Sequence, residues 1–293
     1  MRYSFFAVSW LGVLWATSLP VGCAHEARIV LEDPAGDDNG PGSYRYPDNP
    51  AFGAGSFDLR RFSLTREKDY WVVSVAFAAR VKRSPVFVSR DDRRDLFMQT
   101  VDVYLRSAKA SPAEGEDHLD SLPGRGVMFA PGQAWNRALV LSPVPGLLRE
   151  ALDKTFPGAG DVFVPRKVRI SGHRLVARVP VSFLGQSRPE AISVLVSATR
   201  FSLSFDLIDR ARGRLAPEGL VMTVEKSAGE CRLDDAGGMA CHFSGCDPCG
   251  GHPNVIDLLA PAGVQTDLLS RYNPDTGEPA RLPLIAVGPP DKE

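Results

Sequence analysis

The chain has 293 residues, 44% of them hydrophobic and 24% charged, a balance that excludes a disordered or fibrous polymer. Its 34 lysines and arginines meet 35 aspartates and glutamates for a formal net charge of −1, so it lacks the basic excess with which nucleic-acid binders neutralise phosphates. With 27 glycines and 24 prolines it is rich in turn formers, which suits many short strands joined by loops.

Met1 and Arg2 give the amino terminus a positive start, and the uncharged run Phe5 to Leu19 follows. Pro20, Val21, Gly22, Cys23 and Ala24 then supply small residues. This pattern predicts a signal for export over residues 1–24, with an apolar run too short for a permanent membrane span. Two processing sites fit. Cleavage before Cys23 follows a bacterial lipobox, although Pro20 stands where leucine is preferred, and would leave Cys23 lipidated. Cleavage after Ala24 would release the chain. The expected location is the periplasm or cell surface, with a lipid anchor at Cys23 as the one tie to the membrane.

Residues 26–290 read as a single domain of strands. Period-2 alternation marks Tyr70–Arg80, with Trp71, Val73, Val75 and Phe77 on one face, and Phe97–Arg106, with Val101, Val103 and Leu105 opposite Thr100, Asp102 and Tyr104. Val162–Ser171, His173–Leu184 and Ala191–Phe205 repeat it. Pro180 predicts a strand end or an edge there, because proline has no N–H for the ladder. Shorter strands are expected at Arg28–Glu32, Phe57–Thr65, Gly126–Ala130, Arg137–Ser142, Leu220–Val224 and Leu282–Val287. The helical pattern is confined to Gly146–Thr155, with a further turn at Thr266–Arg271. The fold class this predicts is all-β, an antiparallel β-sandwich with one short helix. Residues 226–253, rich in Gly, Cys and Asp, read as an excursion from the sandwich.

Chemistry concentrates in a few places. Asp33, Asp37, Asp38 and Asn39 crowd oxygen donors into seven residues, with glycines that let the loop close tightly. Hard oxygen donors on such a loop suit a structural calcium ion. Asp33, Asp37 and Asp38, with Asp58 further on, are the candidate ligands, and the competing reading is that they simply form turns. Tyr44, Tyr46, Phe52 and Trp135 lie in turn-rich surroundings and are candidate sugar-stacking rings, whereas Trp71 alternates with core residues. Cys231, Cys241, Cys246 and Cys249 predict two disulfides in an exported chain, with the pairing open. A zinc site involving His242 and His252 is the alternative. No Gly-x-Ser-x-Gly elbow and no His-Glu-x-x-His helix occur, and the expectation is that the chain is not an enzyme.

The stretch Asp33-Pro-Ala-Gly-Asp-Asp-Asn-Gly-Pro-Gly-Ser-Tyr-Arg-Tyr-Pro47, followed by Phe52, Gly55 and Phe57-Asp58-Leu59, resembles the opening of the DOMON-like module at the carboxyl end of glucodextranases. The likeness continues at Ala134–Ala138, at Pro253–Leu259, at Leu268-Leu269 and at Tyr272. It spans roughly Arg28 to Val287 and departs from the family pattern in the cysteine-rich stretch. The resemblance implies a β-sandwich of DOMON type, similar to calcium-containing carbohydrate-binding modules. It also implies a noncatalytic unit that binds a polysaccharide or cell-envelope glycan, with a separate glycoside hydrolase as a partner. The competing expectations are a haem-binding electron-transfer module, which would need an axial His or Met pair, and an envelope scaffold without a glycan ligand.

Overall fold

The structure is a computed structural model and describes residues 28–82, 97–107, 116–200, 216–227, 231–233 and 239–288. The export signal and Cys23 lie outside the described residues. In chain order the strands are β1 (Arg28–Glu32), β2 (Leu59–Glu67), β3 (Tyr70–Phe77), β4 (Gln99–Arg106), β5 (Val127–Phe129) and β6 (Arg137–Leu141). After helix α1 (Pro145–Thr155) come β7 (Val162–Phe163), β8 (Arg169–Ser171), β9 (Arg174–Pro180), the single turn α2 (Val181–Leu184) and β10 (Ala191–Ala198). Four two-residue strands follow in the cysteine-rich part: β11 (Val224–Glu225), β12 (Arg232–Leu233), β13 (Met239–Ala240) and β14 (Phe243–Ser244). The chain ends with β15 (Asp257–Leu258), α3 (Val264–Leu269), β16 (Ala280–Leu282) and β17 (Ile285–Ala286).

Two sheets make the body. The first is antiparallel in the order β1-β2-β3-β9-β8, and the second runs β15-β10-β4-β6-β7 with β17 also on β10. Trp71, Val73, Val75 and Phe77 of β3 face inward, as their alternation predicts, and pack with Val101 and Val103 of β4 and Val194 and Val196 of β10 in one core. The Trp71 indole donates to the Gly185 carbonyl at 2.9 Å, so this buried ring keeps its one donor paired.

The second sheet is buried on both faces: every residue of β10 is buried, and so is every residue of β4 but the last. Its far face carries Tyr104, Ala138, Val140 and Leu195 against Leu148, Ala151 and Leu152 of α1, Phe129 of β5 and Leu282 of β16. The sandwich therefore has a third layer. Pro145 opens α1, where its missing N–H costs nothing, and Leu148, Ala151 and Leu152 at helical spacing give the helix its buried stripe.

Among the described residues the short helices number three (α1, α2 and α3), where the sequence predicts one and a turn. Pro180 ends β9 with φ −60° and ψ 142° and stands at the N-cap of α2, so the strand expected to continue to Leu184 stops there. Most of the stretch expected as a strand at Leu220–Val224 is not strand: a 3₁₀ turn occupies Pro217–Leu220. None of the helices among the described residues is long and apolar enough to cross a membrane.

Candidate functional site

The opening acidic loop leaves β1 at Asp33 and returns to β2 at Asp58. Its shape depends on Gly40, whose φ of +57° is open to glycine and whose missing Cβ would stand 2.3 Å from the Tyr44 ring. Ligand oxygens of Asp33, Asp37 and Asp257 all lie within 4.8 Å of one another, with Asp33 and Asp257 buried and Asp37 half-buried. Asp257 comes from β15, 224 positions beyond Asp33. It is fixed by backbone N–H donors, Leu59 to Oδ2 at 2.6 Å and Leu258 to Oδ1 at 2.8 Å. Asp33 Oδ1 accepts the Ala260 N–H at 2.9 Å, while Asp33 Oδ2 and Asp37 Oδ1 are buried without a hydrogen-bond partner.

Asp58 stands beside the cluster. Its Oδ2 accepts the Gly36 N–H at 2.9 Å, and Arg60 Nε lies 3.8 Å from its Oδ1. Asp38 is turned to a different task, accepting the Tyr46 hydroxyl proton. Of the four expected metal ligands, the structure thus brings Asp33 and Asp37 together, sets Asp58 beside them, engages Asp38 with Tyr46 and adds Asp257. Burial, with the negative charges of Asp37 and Asp58 adding to it, pushes the Asp33 carboxyl up to about 8. Burial likewise raises Asp37 and Asp58 and holds Asp257 well above the ordinary carboxylate range, where Asp33 and Asp37 add repulsion. A set of carboxylate oxygens converging in a buried space is the donor chemistry that hard divalent cations take, so the residues present fit calcium.

The expected sugar-stacking rings are placed differently, and the reason is covering layers that alternation does not reveal. Tyr44 is 5% exposed, and its hydroxyl donates to the Pro253 carbonyl at 2.7 Å. Phe52 is 8% exposed and packs edge-on against Phe243 at 6.1 Å. Tyr46 is half-buried, 5.3 Å from the same Phe243. The cysteine-rich part thus lays Phe243 over these rings, and its Cys241 and Cys246 join the main core. Trp135 is fully buried in the third layer, its ring tilted against His118 at 4.4 Å and donating to the Asp120 carbonyl at 2.9 Å. Tyr44, Phe52 and Trp135 are therefore core residues, which corrects their assignment to a ligand surface.

The cysteines pair as Cys231–Cys241 and Cys246–Cys249. All four are thereby withdrawn from zinc ligation. His242 lies 3.2 Å from Glu225 Oε1, and His252 bonds the Val224 carbonyl at 2.9 Å. The segment is held to the opening loop through Gly245, where a Cβ would strike the Ser43 carbonyl at 2.2 Å.

The exposed aromatic of the described residues is Tyr70, at 44% exposure, on the outer face of the first sheet. It stands between two clefts and lines both, as does Pro180. One, of about 690 Å³, is walled by Asp69, Asn136, Arg137, Phe183 and Gln186. The other, of about 890 Å³, is walled by Glu67, Phe163, Arg166, Lys167, Arg169 and Arg178. The Arg178 guanidinium lies 6.0 Å over the Tyr70 ring and 3.5 Å from Glu67. A flat exposed ring flanked by charged and amide side chains is the pairing that a pyranose face and its hydroxyls require. Tyr70 and Asp257 escape sequence reasoning for different reasons. Tyr70 is the outward member of an alternating strand, and Asp257 belongs to a segment whose partner loop is remote in sequence.

Residues 29–284 match the sequence model of a family described as the C-terminal, SLH-like binding module of glucodextranase. A search of curated proteins finds no match for the chain.

Proposed function

Because the chain belongs to the family of C-terminal, SLH-like binding modules of glucodextranase, we propose that it is an exported, noncatalytic module that binds a polysaccharide or cell-envelope glycan. The observation that carries this reading is the family match itself, which runs from β1 to the segment before β17. It takes in the strands of the first sheet, those of the second except β17, and the third layer. The export pattern of residues 1–24 supports action in the periplasm or at the cell surface, where a separate glycoside hydrolase could share the same polymer.

The ligand surface in this reading is the outer face of the first sheet around Tyr70. An aromatic ring there offers its flat face to sugar C–H groups, and the neighbouring Gln186, Glu67 and Arg178 offer hydrogen bonds to hydroxyls. Binding energy in such surfaces concentrates in a few rigid aromatic anchors.

The test is retention of the purified chain on gels or columns carrying dextran, pullulan, xylan or isolated cell-envelope polysaccharide. The reading expects retention by at least one polymer, and loss of it in Tyr70→Ala with the melting temperature unchanged. Absence of retention by every polymer would reject glycan binding. Retention that survives Tyr70→Ala would move the ligand to another face.

A further inference from the structure

We propose that Asp33, Asp37 and Asp257 hold a calcium ion that fastens the opening loop to the β15 segment, with Asp58 completing the negative surroundings. This goes beyond glycan binding and stands independently of it.

The first observation is convergence. Carboxylate oxygens of three residues, two on the opening loop and one on β15, meet within 4.8 Å, the span between opposite ligands on an ion whose bonds to oxygen run from roughly 2.3 to 2.6 Å. The second is the condition of the oxygens. Asp33 is 6% exposed and Asp58 5% exposed, yet Asp33 Oδ2 and Asp58 Oδ1 have no hydrogen-bond partner, and neither does Asp37 Oδ1. Buried polar atoms in native proteins are almost always paired, so an orphaned set facing one space marks a missing partner. The partner that lets such carboxylates stay ionised together in one space is a cation. Arg60 is the neighbouring basic side chain, but it is 42% exposed, stands 3.8 Å from Asp58 and makes no hydrogen bond through Nε.

The surrounding hydrogen bonds shape the space for an ion. Backbone N–H groups of Ala260, Leu59 and Leu258 fix the orientations of Asp33 and Asp257 and leave a lone pair on each accepting oxygen. Gln265 of α3, 1% exposed, bonds the Asp37 and Gly40 carbonyls and holds the loop over the cluster. Oxygen-only donors favour calcium over zinc or copper, which take nitrogen and sulfur.

The experiment uses the full chain stripped with EDTA and titrated with calcium chloride in a calorimeter, with melting temperature and bound metal measured in parallel. The expected result is one calcium per chain and a melting temperature several degrees higher at a hundredfold excess over the dissociation constant, reversed by EGTA. Asp37→Asn, in the half-buried loop, should keep the wild-type circular dichroism and bind calcium at least tenfold more weakly, as should Asp257→Asn if it folds. Asp38→Asn, whose carboxylate is engaged by Tyr46, should bind as the wild type does. The site is overturned if the stripped wild type gives neither heat nor a melting shift, or if Asp37→Asn keeps full affinity while Asp38→Asn loses it.

Discussion

The Arg125 guanidinium grips the Asp102 carboxylate through two bonds, Nε to Oδ2 at 2.6 Å and Nη2 to Oδ1 at 2.9 Å, with both side chains 1% exposed. Asp102 is on the face of β4 that looks toward the third layer, and Arg125 is in the turn before β5. The Arg125 carbonyl accepts the Asn254 N–H at 2.8 Å, and its Nη1 bonds the Pro123 carbonyl at 2.7 Å. One ion pair thus docks the turn before β5 and the segment before β15 onto the second sheet.

Removing one member should therefore cost more than removing both. Asp102→Ala leaves an arginine buried without a counter-charge, and the expected loss is about 3–5 kcal/mol. The double variant Asp102→Leu with Arg125→Met should lose much less, because it leaves no charge buried without a partner. Urea unfolding of the wild type and both variants checks this. A double variant that loses as much as Asp102→Ala would show that the stranded charge is not the main cost of the single change.

Trp135→Ala should destabilise the domain by about 3–5 kcal/mol, as large-to-small changes in cores do. The ring is fully buried and lies 5.3 Å from Tyr104. Glycan retention of the folded variant should match that of the wild type, since the Trp135 ring is buried in the third layer. A variant of normal stability that fails to bind would return Trp135 to the ligand surface and remove it from the core.

The strands of the first sheet were legible because only one of its faces is buried. Alternation in Tyr70–Phe77 names the inward residues correctly. The second sheet was legible as strands but not as a middle layer. Thr100 and Asp102 look like an outward face, and the third layer that buries them is assembled from α1, β5, β16 and the turn carrying Arg125. The same reason hid the fate of the rings: nothing local to Tyr46 or Phe52 tells that Phe243 will cover them. In the acidic loop, Asp33 and Asp37 were readable from spacing. Asp38 differs from Asp37 only in which way it points, and Asp257 only in what lies across from it.

The two disulfides close loops of very different length. Cys231–Cys241 spans ten positions and Cys246–Cys249 three. On the chain-entropy model a ten-residue loop contributes roughly 2.7 kcal/mol and a three-residue loop well under that. Cys231→Ser with Cys241→Ser should accordingly lower stability more than Cys246→Ser with Cys249→Ser would on loop length alone. Cys241 and Cys246 both pack in the main core, so each pair adds a packing loss to the loop term. Thiol titration of the oxidised protein should find none of these four free, and reduction should add about four hydrogens to the mass. Free thiols with bound zinc would instead favour metal ligation.

Gln265 gives the last prediction, because one side chain serves three backbone groups. Its Oε1 accepts the Leu258 N–H at 2.6 Å, and its Nε2 donates to the Asp37 carbonyl and, at 3.2 Å, to the Gly40 carbonyl. Leu258 N–H keeps a second acceptor in Asp257 Oδ1 at 2.8 Å and the Asp37 carbonyl keeps the Asn39 N–H at 2.7 Å, so replacing the amide strands the Gly40 carbonyl rather than all three groups. Each buried polar group left without a partner costs about 1–3 kcal/mol. Gln265→Leu, which keeps most of the volume, should thus lose roughly 1–3 kcal/mol by the same reckoning. Asp267→Ala, on the exposed side of the same helix in a surface pair with Arg271, should stay within about 0.5 kcal/mol of the wild type. Loosening the loop also loosens Asp37, so Gln265→Leu should weaken calcium binding although Gln265 itself contributes no ligand. Measuring urea stability in EGTA and again in excess calcium separates the two effects: the loss should be larger in calcium, because the variant forfeits part of the ion's stabilisation as well. An equal loss in both buffers would confine Gln265 to the loop's hydrogen bonds and disconnect it from the ion.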